Sequence, residues 1–323
     1  MRIISGEEAQ SILEVESALT LIRDVYRMAA AGRADVSHPS AMHMRGALDT
    51  STTFKIKGAV LDDLGVAGFR LIGDADERHG GGASYCYLTD PSNARPFAIV
   101  EESWLHRVRT ALTGLVTVAA LAPEVPHRVA LIGTGRIALE FVRYLDVILP
   151  GVPLVLASRD RARAASTAED WARLTGRPVE AAPSVADAVR SADIIVSLSD
   201  AEATLFGPED LRPGTLVCAM GGRREFDRGV LDRASRFVVD EIDFVCTAGN
   251  VGAWIREGAI TRSEVEAAVD ETIGEVLART GREPVPAGEI WLAVIQGMAA
   301  CDIGLAKWCF DRLMARGGKD AAR

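Results

Sequence analysis

HRVALIGTGRIALEFV, residues 127–142, is the stretch whose reading decides the fold. His127 to Gly133 reads as a buried parallel strand. GTGRIA, residues 133–138, is a glycine turn of the GxGxxA kind. The LEFVRYLDVI behind it spaces its apolar residues as a helix does. A glycine turn alone is weak evidence, but between a strand and a helix it marks a dinucleotide site. Gly133 permits the tight turn, Gly135 lets the backbone approach a pyrophosphate, and Ala138 lets helix and strand pack closely. Thr134, Arg136 and Ile137 complete the cofactor-binding turn, and the helix N-terminus attracts the phosphate charge.

The pattern continues towards the C-terminus. VPLVLAS (152–158), DIIVSLS (193–199), GTLVCAM (214–220) and RFVVDEI (236–242) read as strands. RARAASTAEDWARLTG (161–176) and VADAVRSA (185–192) read as helices between them. Strands alternating with helices imply an α/β fold with a Rossmann doubly wound parallel sheet. The end of the second strand reports on the cofactor. NAD sites usually place an acidic residue there; this chain has Ser158-Arg159-Asp160. A serine hydroxyl and a guanidinium suit the 2′-phosphate of NADP. NAD stays open, because a shift of one residue would make Asp160 the ribose ligand.

In front of the turn the period changes. Residues 1–32 read as helical. TFKIKGAV (53–60), VAGFRLIG (66–73), ASYCYLTD (83–90) and RPFAIVEES (95–103) read as strands joined by short turns. They form an antiparallel meander in an α+β domain. RTALTGLVTVAALA (109–122) reads as a helix leading into the nucleotide domain, and 289–317 as one long helical stretch returning to the front. The expected domains are therefore 1–118 with a return helix at about 300–323, and a Rossmann domain at 119–299. The net charge of −9 and the lack of a Lys/Arg block weigh against nucleic acid. No apolar run reaches the roughly 18 residues of a membrane span, and the N-terminus lacks the basic start and apolar block of a signal peptide. Five scattered cysteines without a CxxC argue for a reduced cytoplasm and against a zinc site.

The chain resembles the ornithine cyclodeaminase/mu-crystallin family over nearly its whole length. The resemblance rests on Arg109-Thr110-Ala111 after the meander, the GxGxxA turn behind that helix, the strand end VVDEIDF, and GMAACDIGLAKW near the C-terminus. The late region is most similar to the branch that makes 2,3-diaminopropionate for siderophores. The resemblance implies a homodimer whose front domain carries the dimer contact and much of the substrate site. It also implies an NAD(P)-dependent oxidoreductase, moving hydride to or from a carbon that bears nitrogen, through an imine. The substrate would be a small carboxylate-bearing amine or imine. Oxidative hydrolysis of an N-carboxyalkyl amino acid, ornithine cyclodeaminase-type lyase chemistry and a non-catalytic NADP-binding crystallin-like protein stay open.

The resemblance assigns residues as well. Arg109 matches the arginine that holds the substrate carboxylate, and Thr110 is placed near the nicotinamide. Arg70 stands where the family usually has a lysine; arginine stays protonated, so it can hold an anion or polarise a carbonyl but cannot be a general base. Lys55 and Lys57 share one strand face, and either could supply the missing amine or contact substrate. Glu225 is the candidate for the acidic residue of cyclodeaminases, although Arg223 occupies the more natural match. Ser197 and Ser199 are expected near the cofactor ribose. His38 and His43 are candidate proton donors, and His79 sits in a glycine-rich loop that could cover the site. Asp240, Glu241 and Asp243 are expected to support the fold, and Asp302 and Lys307 to make structural or dimer contacts. If even three of Arg70, Arg109, Arg223 and Arg224 converge, the substrate is anionic, with two or more carboxylates or a carboxylate with a phosphate.

Overall fold

The computed structural model describes residues 1–46, 52–75 and 82–320. It divides into two compact units: Met1–Thr110 with Met298–Arg323, and Ala111–Gly297. The division falls at Thr110/Ala111, eight residues before the sequence boundary at 118. His79 lies outside the described residues.

The first unit is built on a seven-stranded sheet. Its elements are β1 (Arg2–Ile4), α1 (Gly6–Ser11), α2 (Val15–Ala30), β2 (Ala34–Val36), β3 (Met42–Arg45), β4 (Thr53–Leu61), β5 (Val66–Asp74), β6 (Ala83–Thr89) and β7 (Pro96–Glu101). The four expected meander strands are β4 to β7, paired antiparallel in sequence order. Arg2–Ile4, read as helical, is instead an edge strand parallel to β7. The helix begins only after Ser5, whose hydroxyl accepts from the Glu8 N–H in a capping box. Helix α3 (Leu105–Leu121) follows β7, and α12 (Ala299–Asp320) returns from the far end of the chain. Strand alternation sends Gly68, Arg70 and Ile72 of β5 to one face, and α12 packs there. A Cβ on Gly68 would lie 2.4 Å from the Tyr87 carbonyl and 3.3 Å from Ile303 of α12, so this strand crossing admits no side chain.

The second unit holds an eight-stranded sheet, parallel throughout. Its strands are β8 (Val129–Ile132), β9 (Leu154–Ala157), β10 (Val179–Ala181), β11 (Ile194–Ser197), β12 (Thr215–Ala219), β13 (Arg236–Val239), β14 (Glu271–Thr272) and β15 (Ile290–Val294). They lie in the order β10-β9-β8-β11-β12-β15-β13-β14. The crossover helices are α4 (Arg136–Ile148), α5 (Arg161–Thr175), α6 (Val185–Ser191), α7 (Gly229–Arg233), α8 (Ile242–Val245), α9 (Gly249–Arg256), α10 (Arg262–Ala268) and α11 (Ile273–Arg279). Every residue of β8, β9, β11, β12 and β15 is buried, as a parallel sheet covered on both faces requires. β15 corrects the sequence reading: the apolar run IWLAV is a central strand between β12 and β13, not the start of the return helix. Among the described residues no helix is long and apolar enough to cross a membrane.

Candidate active site

In the second unit, the glycine turn joins β8 to α4 at a cleft of about 430 Å³. Gly133 has φ +131°, and a Cβ there would sit 2.2 Å from the Leu198 carbonyl. Only glycine fits that position. Gly135 is the N-cap of α4, and a Cβ there would meet nothing within 4 Å. The turn thus presents open space at the N-terminus of a 13-residue helix with no acidic residue in its first turn. This fits a dinucleotide pyrophosphate. Thr134 also lines the cleft, whereas Arg136 is exposed and Ile137 half-buried.

Ser158, Arg159, Asp160 and Arg163 line the same cleft. Asp160 caps α5: its carboxylate accepts from the Arg163 N–H at 3.0 Å. Ser158 Oγ donates to the Asp160 carbonyl at 2.7 Å. The acidic group here is directed to the helix backbone, and two guanidiniums stand beside it. Arg163 was not singled out in the sequence; it lies in the first turn of α5, just behind the N-cap Asp160.

Ser197 and Glu225 are placed differently from the expectation. Both are fully buried. Ser197 Oγ donates to Glu225 Oε2 at 2.8 Å, and the N–H groups of Ser199 and Gly221 donate to the same carboxylate at 2.6 and 2.9 Å. Burial pushes the Glu225 carboxyl up to about 7 against these hydrogen bonds. Glu225 therefore braces the loops after β11 and β12 rather than meeting substrate, and Ser197 serves that brace. Ser199 lies beyond the strand end and lines the cleft. The short loop after β12 turns Glu225 inward and its two arginines outward. Arg223 pairs with Glu202 and Arg224 with Glu257, each at the surface. Asp240 accepts the N–H groups of Gln296 and Gly297 at 3.1 and 2.6 Å, a supporting role as expected.

The first unit holds a buried ionic cluster on the α12-facing side of its sheet. Register places Lys57, Arg70, Cys86 and Val100 side by side across β4 to β7. Arg70 binds Glu102 through Nε at 2.7 Å and Nη2 at 2.6 Å, and Asp302 through Nη1 at 3.2 Å. Arg109 Nε donates to Asp302 Oδ1 at 2.5 Å, and its Nη2 lies 3.1 Å from His106 Nδ1. Arg70, Glu102, Arg109 and Asp302 are all 1–2% exposed. Buried charges survive only when paired and hydrogen-bonded; here two carboxylates meet two guanidiniums. Two buried atoms of the cluster have no hydrogen-bond partner among the described residues: the acceptor Asp302 Oδ2, which is ion-paired with Arg70, and the donor Arg109 Nη1. Thr110 Oγ1 sits 3.4 Å from His106 Nδ1, one helical turn back.

The cluster sets its own protonation states. Burial raises the Asp302 carboxyl, but Arg109 and Arg70 beside it outweigh this and hold it well below the usual range. Burial pushes the Glu102 carboxyl up, with Arg70 opposing. Burial and the neighbouring carboxylates raise the Cys86 thiol, which donates to Glu102 Oε2 at 3.3 Å. Burial and then Arg70 push the His106 imidazole well down. Lys55, two residues from buried Lys57 on the same face, is lowered to about 8 by burial and then by Arg70. Asp302 is thus the hub of the cluster, a structural contact within the unit. Glu102 escaped the sequence reading because its partners Arg70 and Cys86 lie on other strands; His106 meets Arg109 and Thr110 one turn along its own helix.

The model of the ornithine cyclodeaminase/mu-crystallin family matches residues 7–317. A Delta(1)-pyrroline-2-carboxylate reductase from Bacillus cereus is 27% identical over 237 residues, 71% of each chain. Two solved structures share the fold at TM-score 0.86. One is the iminosuccinate reductase of Paracoccus denitrificans in complex with NAD+, 22% identical, covering 98% of this chain and 97% of the other. The second is an archaeal alanine dehydrogenase dimer with bound NAD, 20% identical, covering 98% and 96%.

Proposed function

Because this chain belongs to the ornithine cyclodeaminase/mu-crystallin family, we propose that it is an NAD(P)-dependent oxidoreductase of C–N bonds. It reduces an imine that carries a carboxylate, or runs the reverse oxidation of the amine. The observation that carries this reading is Arg109. Its guanidinium is buried and fixed from one side by Asp302, while Nη1 has no partner among the described residues. A substrate carboxylate satisfies such a donor with a charge-assisted hydrogen bond. Arg70, already engaged by Glu102 and Asp302, adds field to the site rather than a second fork. The names of the relatives, reductases of pyrroline-2-carboxylate and of iminosuccinate, support an imine acid as the substrate class.

The cleft of the second unit holds the dinucleotide through Gly133, Thr134, Gly135 and the N-terminus of α4. Bound there, the nicotinamide supplies or accepts the hydride. NADP is the preferred form. Asp160 is occupied as a helix cap, and Arg159 and Arg163 offer two guanidiniums for a 2′-phosphate. The test is cofactor absorbance against time, with NADPH and NADH in parallel and cyclic imine acids, iminosuccinate, and keto acids with amines as substrates. Arg159→Ala is expected to lower kcat/KM for NADPH by about 10–100-fold, the worth of a hydrogen bond to a charged group, and to leave NADH unchanged. Equal loss with both cofactors would remove the NADP assignment. Tight cofactor binding with no turnover of any substrate would favour a binding protein over an enzyme.

The working unit we propose is a homodimer formed through the sheet of the first unit. The face opposite α12 carries Met42, Met44, Phe54, Phe69 and Tyr85, each 38–50% exposed. Phe69 stacks on Tyr87 at 5.1 Å within this patch. An apolar face of that extent marks an interface, and the archaeal alanine dehydrogenase of this fold is a dimer. Light scattering on the wild type is expected to give twice the chain mass. Phe69→Asp, which places a charge in the patch, should give the monomer mass. A monomeric wild type at micromolar concentration would refute the assembly. All five cysteines are buried thiols, which supports a reducing, cytoplasmic setting.

A further inference from the structure

Reduction of an imine needs a proton at nitrogen as well as a hydride at carbon. The buried cluster contains few groups able to deliver one. Arg70 and Arg109 stay protonated at any working pH. Asp302 is held ionised by its two guanidiniums, Cys86 stays a thiol bonded to Glu102, and His106 is held neutral. Glu102 accepts from both Arg70 and Cys86.

We propose that Lys55 exchanges the proton with the substrate nitrogen; this rests on the imine reductase reading above. The geometry comes from the register of β4. Lys55 and Lys57 alternate onto the face that carries Arg70, with Lys57 directly across from Arg70 and Lys55 across from Ile72. Lys57 is 2% exposed and lies deep in the row. Lys55 is half-buried and lies one step nearer the rim, where its other neighbour across the strands is the exposed His43 of β3. Arg70, Asp302 and Arg109 act electrostatically on its ammonium, and Arg109 carries the Nη1 that has no hydrogen-bond partner among the described residues. A four-carbon arm rooted between rim and core can follow a substrate nitrogen while the carboxylate is fixed by Arg109.

The step balances. A bound reduced nicotinamide would supply the hydride for the new C–H bond at the imine carbon. The C=N π pair becomes the nitrogen lone pair, which takes a proton from Lys55 Nζ to form N–H. The neutral Lys55 amine is then reprotonated from water. In the oxidative direction the neutral amine accepts that proton.

The ionisable groups facing Lys55 are His43 on β3, Lys57 on β4, Arg70 on β5, Arg109 on α3 and Asp302 on α12. Of these, His43 is itself lowered by burial and then by Lys55 and Lys57, so it stays neutral at pH 8. Burial and the two arginines disfavour the Lys55 ammonium, with Asp302 opposing, and bring it to about 8. The sign follows. Reduction needs the protonated amine, so its kcat/KM falls as pH rises through about 8; oxidation needs the neutral amine, so its kcat/KM rises through the same range.

The experiment compares wild type, Lys55→Arg and Lys55→Ala on the best imine substrate from pH 6 to 10, with melting temperature and cofactor affinity measured on each. Lys55→Ala is expected to lose about 10²–10⁴ in kcat, the usual worth of a positioned acid, with cofactor affinity kept. Added methylamine should restore part of the rate. Lys55→Arg, which keeps the charge and cannot release its proton, should lose rate and the limb near pH 8 together. Variants that keep wild-type kcat and the same limb overturn Lys55 alone and leave the reductase reading standing. A wild type that reduces no imine overturns both.

Discussion

Asp302→Asn is expected to destabilise the protein by about 3–5 kcal/mol, the cost of removing one partner from a buried ion pair. Nothing in its size explains this, since Asn replaces Asp almost atom for atom. The cause is charge. Among the described residues Asp302 is the one carboxylate ion-paired with both Arg70 and Arg109, and an amide would leave both buried guanidiniums with Glu102 as the remaining carboxylate of the cluster. Denaturant titration at pH 7 measures the effect. The pH dependence follows from the sign of the shift. The folded carboxyl lies below its unfolded value, so its contribution is complete above the ordinary aspartate pKa of about 4 and fades as pH falls through the folded value. Wild type and variant should therefore differ most at neutral pH and converge in acid. A loss under 1 kcal/mol would mean that the cluster does not depend on Asp302 for its balance.

Arg109→Lys is expected to lower kcat/KM for a carboxylate substrate by about 30- to 4,000-fold. Truncating a buried, hydrogen-bonded charge at an interface costs about 2–5 kcal/mol, and each 1.4 kcal/mol is tenfold. Lysine keeps the positive charge, so the loss reports geometry: a point charge cannot both hold Asp302 through one edge and present a free donor on another. If Arg109 binds substrate and transition state alike, the loss falls on KM; if its grip tightens as hydride moves, kcat falls too. Steady-state kinetics on the imine panel separates the two, with NADPH affinity as the control. A variant within threefold of wild type would deny Arg109 the substrate carboxylate.

The dinucleotide turn was legible because strand, glycine turn and helix are contiguous, so every local preference could be read in one 16-residue window. The meander was legible because period-two alternation survives in each strand. β15 was not: IWLAV and the helix from Ala299 are separated only by Gln296, Gly297 and Met298 after Ile295, and an apolar run this short does not declare its period. Gly297, at φ +90°, marks the break that the sequence reading ran through. In the site, Arg109 was singled out by the family resemblance rather than by its local sequence, and the helix around it starts earlier, at Leu105; the shared face of Lys55 and Lys57 came from their spacing. The cluster itself was not legible, because its contacts join residues 32 apart for Arg70–Glu102 and 193 apart for Arg109–Asp302. Periodicity gives a side chain its face but not the element packed on that face. Ser197 and Glu225 failed for the same reason: each looked like a cleft residue until the other was placed beside it.

The five buried thiols give the molecule a built-in gauge of its own opening. Cys86, Cys301 and Cys309 belong to one unit, and Cys218 and Cys246 to the other. A thiol reagent can reach none of them in the folded state and every one of them in the unfolded chain. Labelling resolved by mass spectrometry therefore clocks how often each unit breathes, without adding a single probe to the sequence.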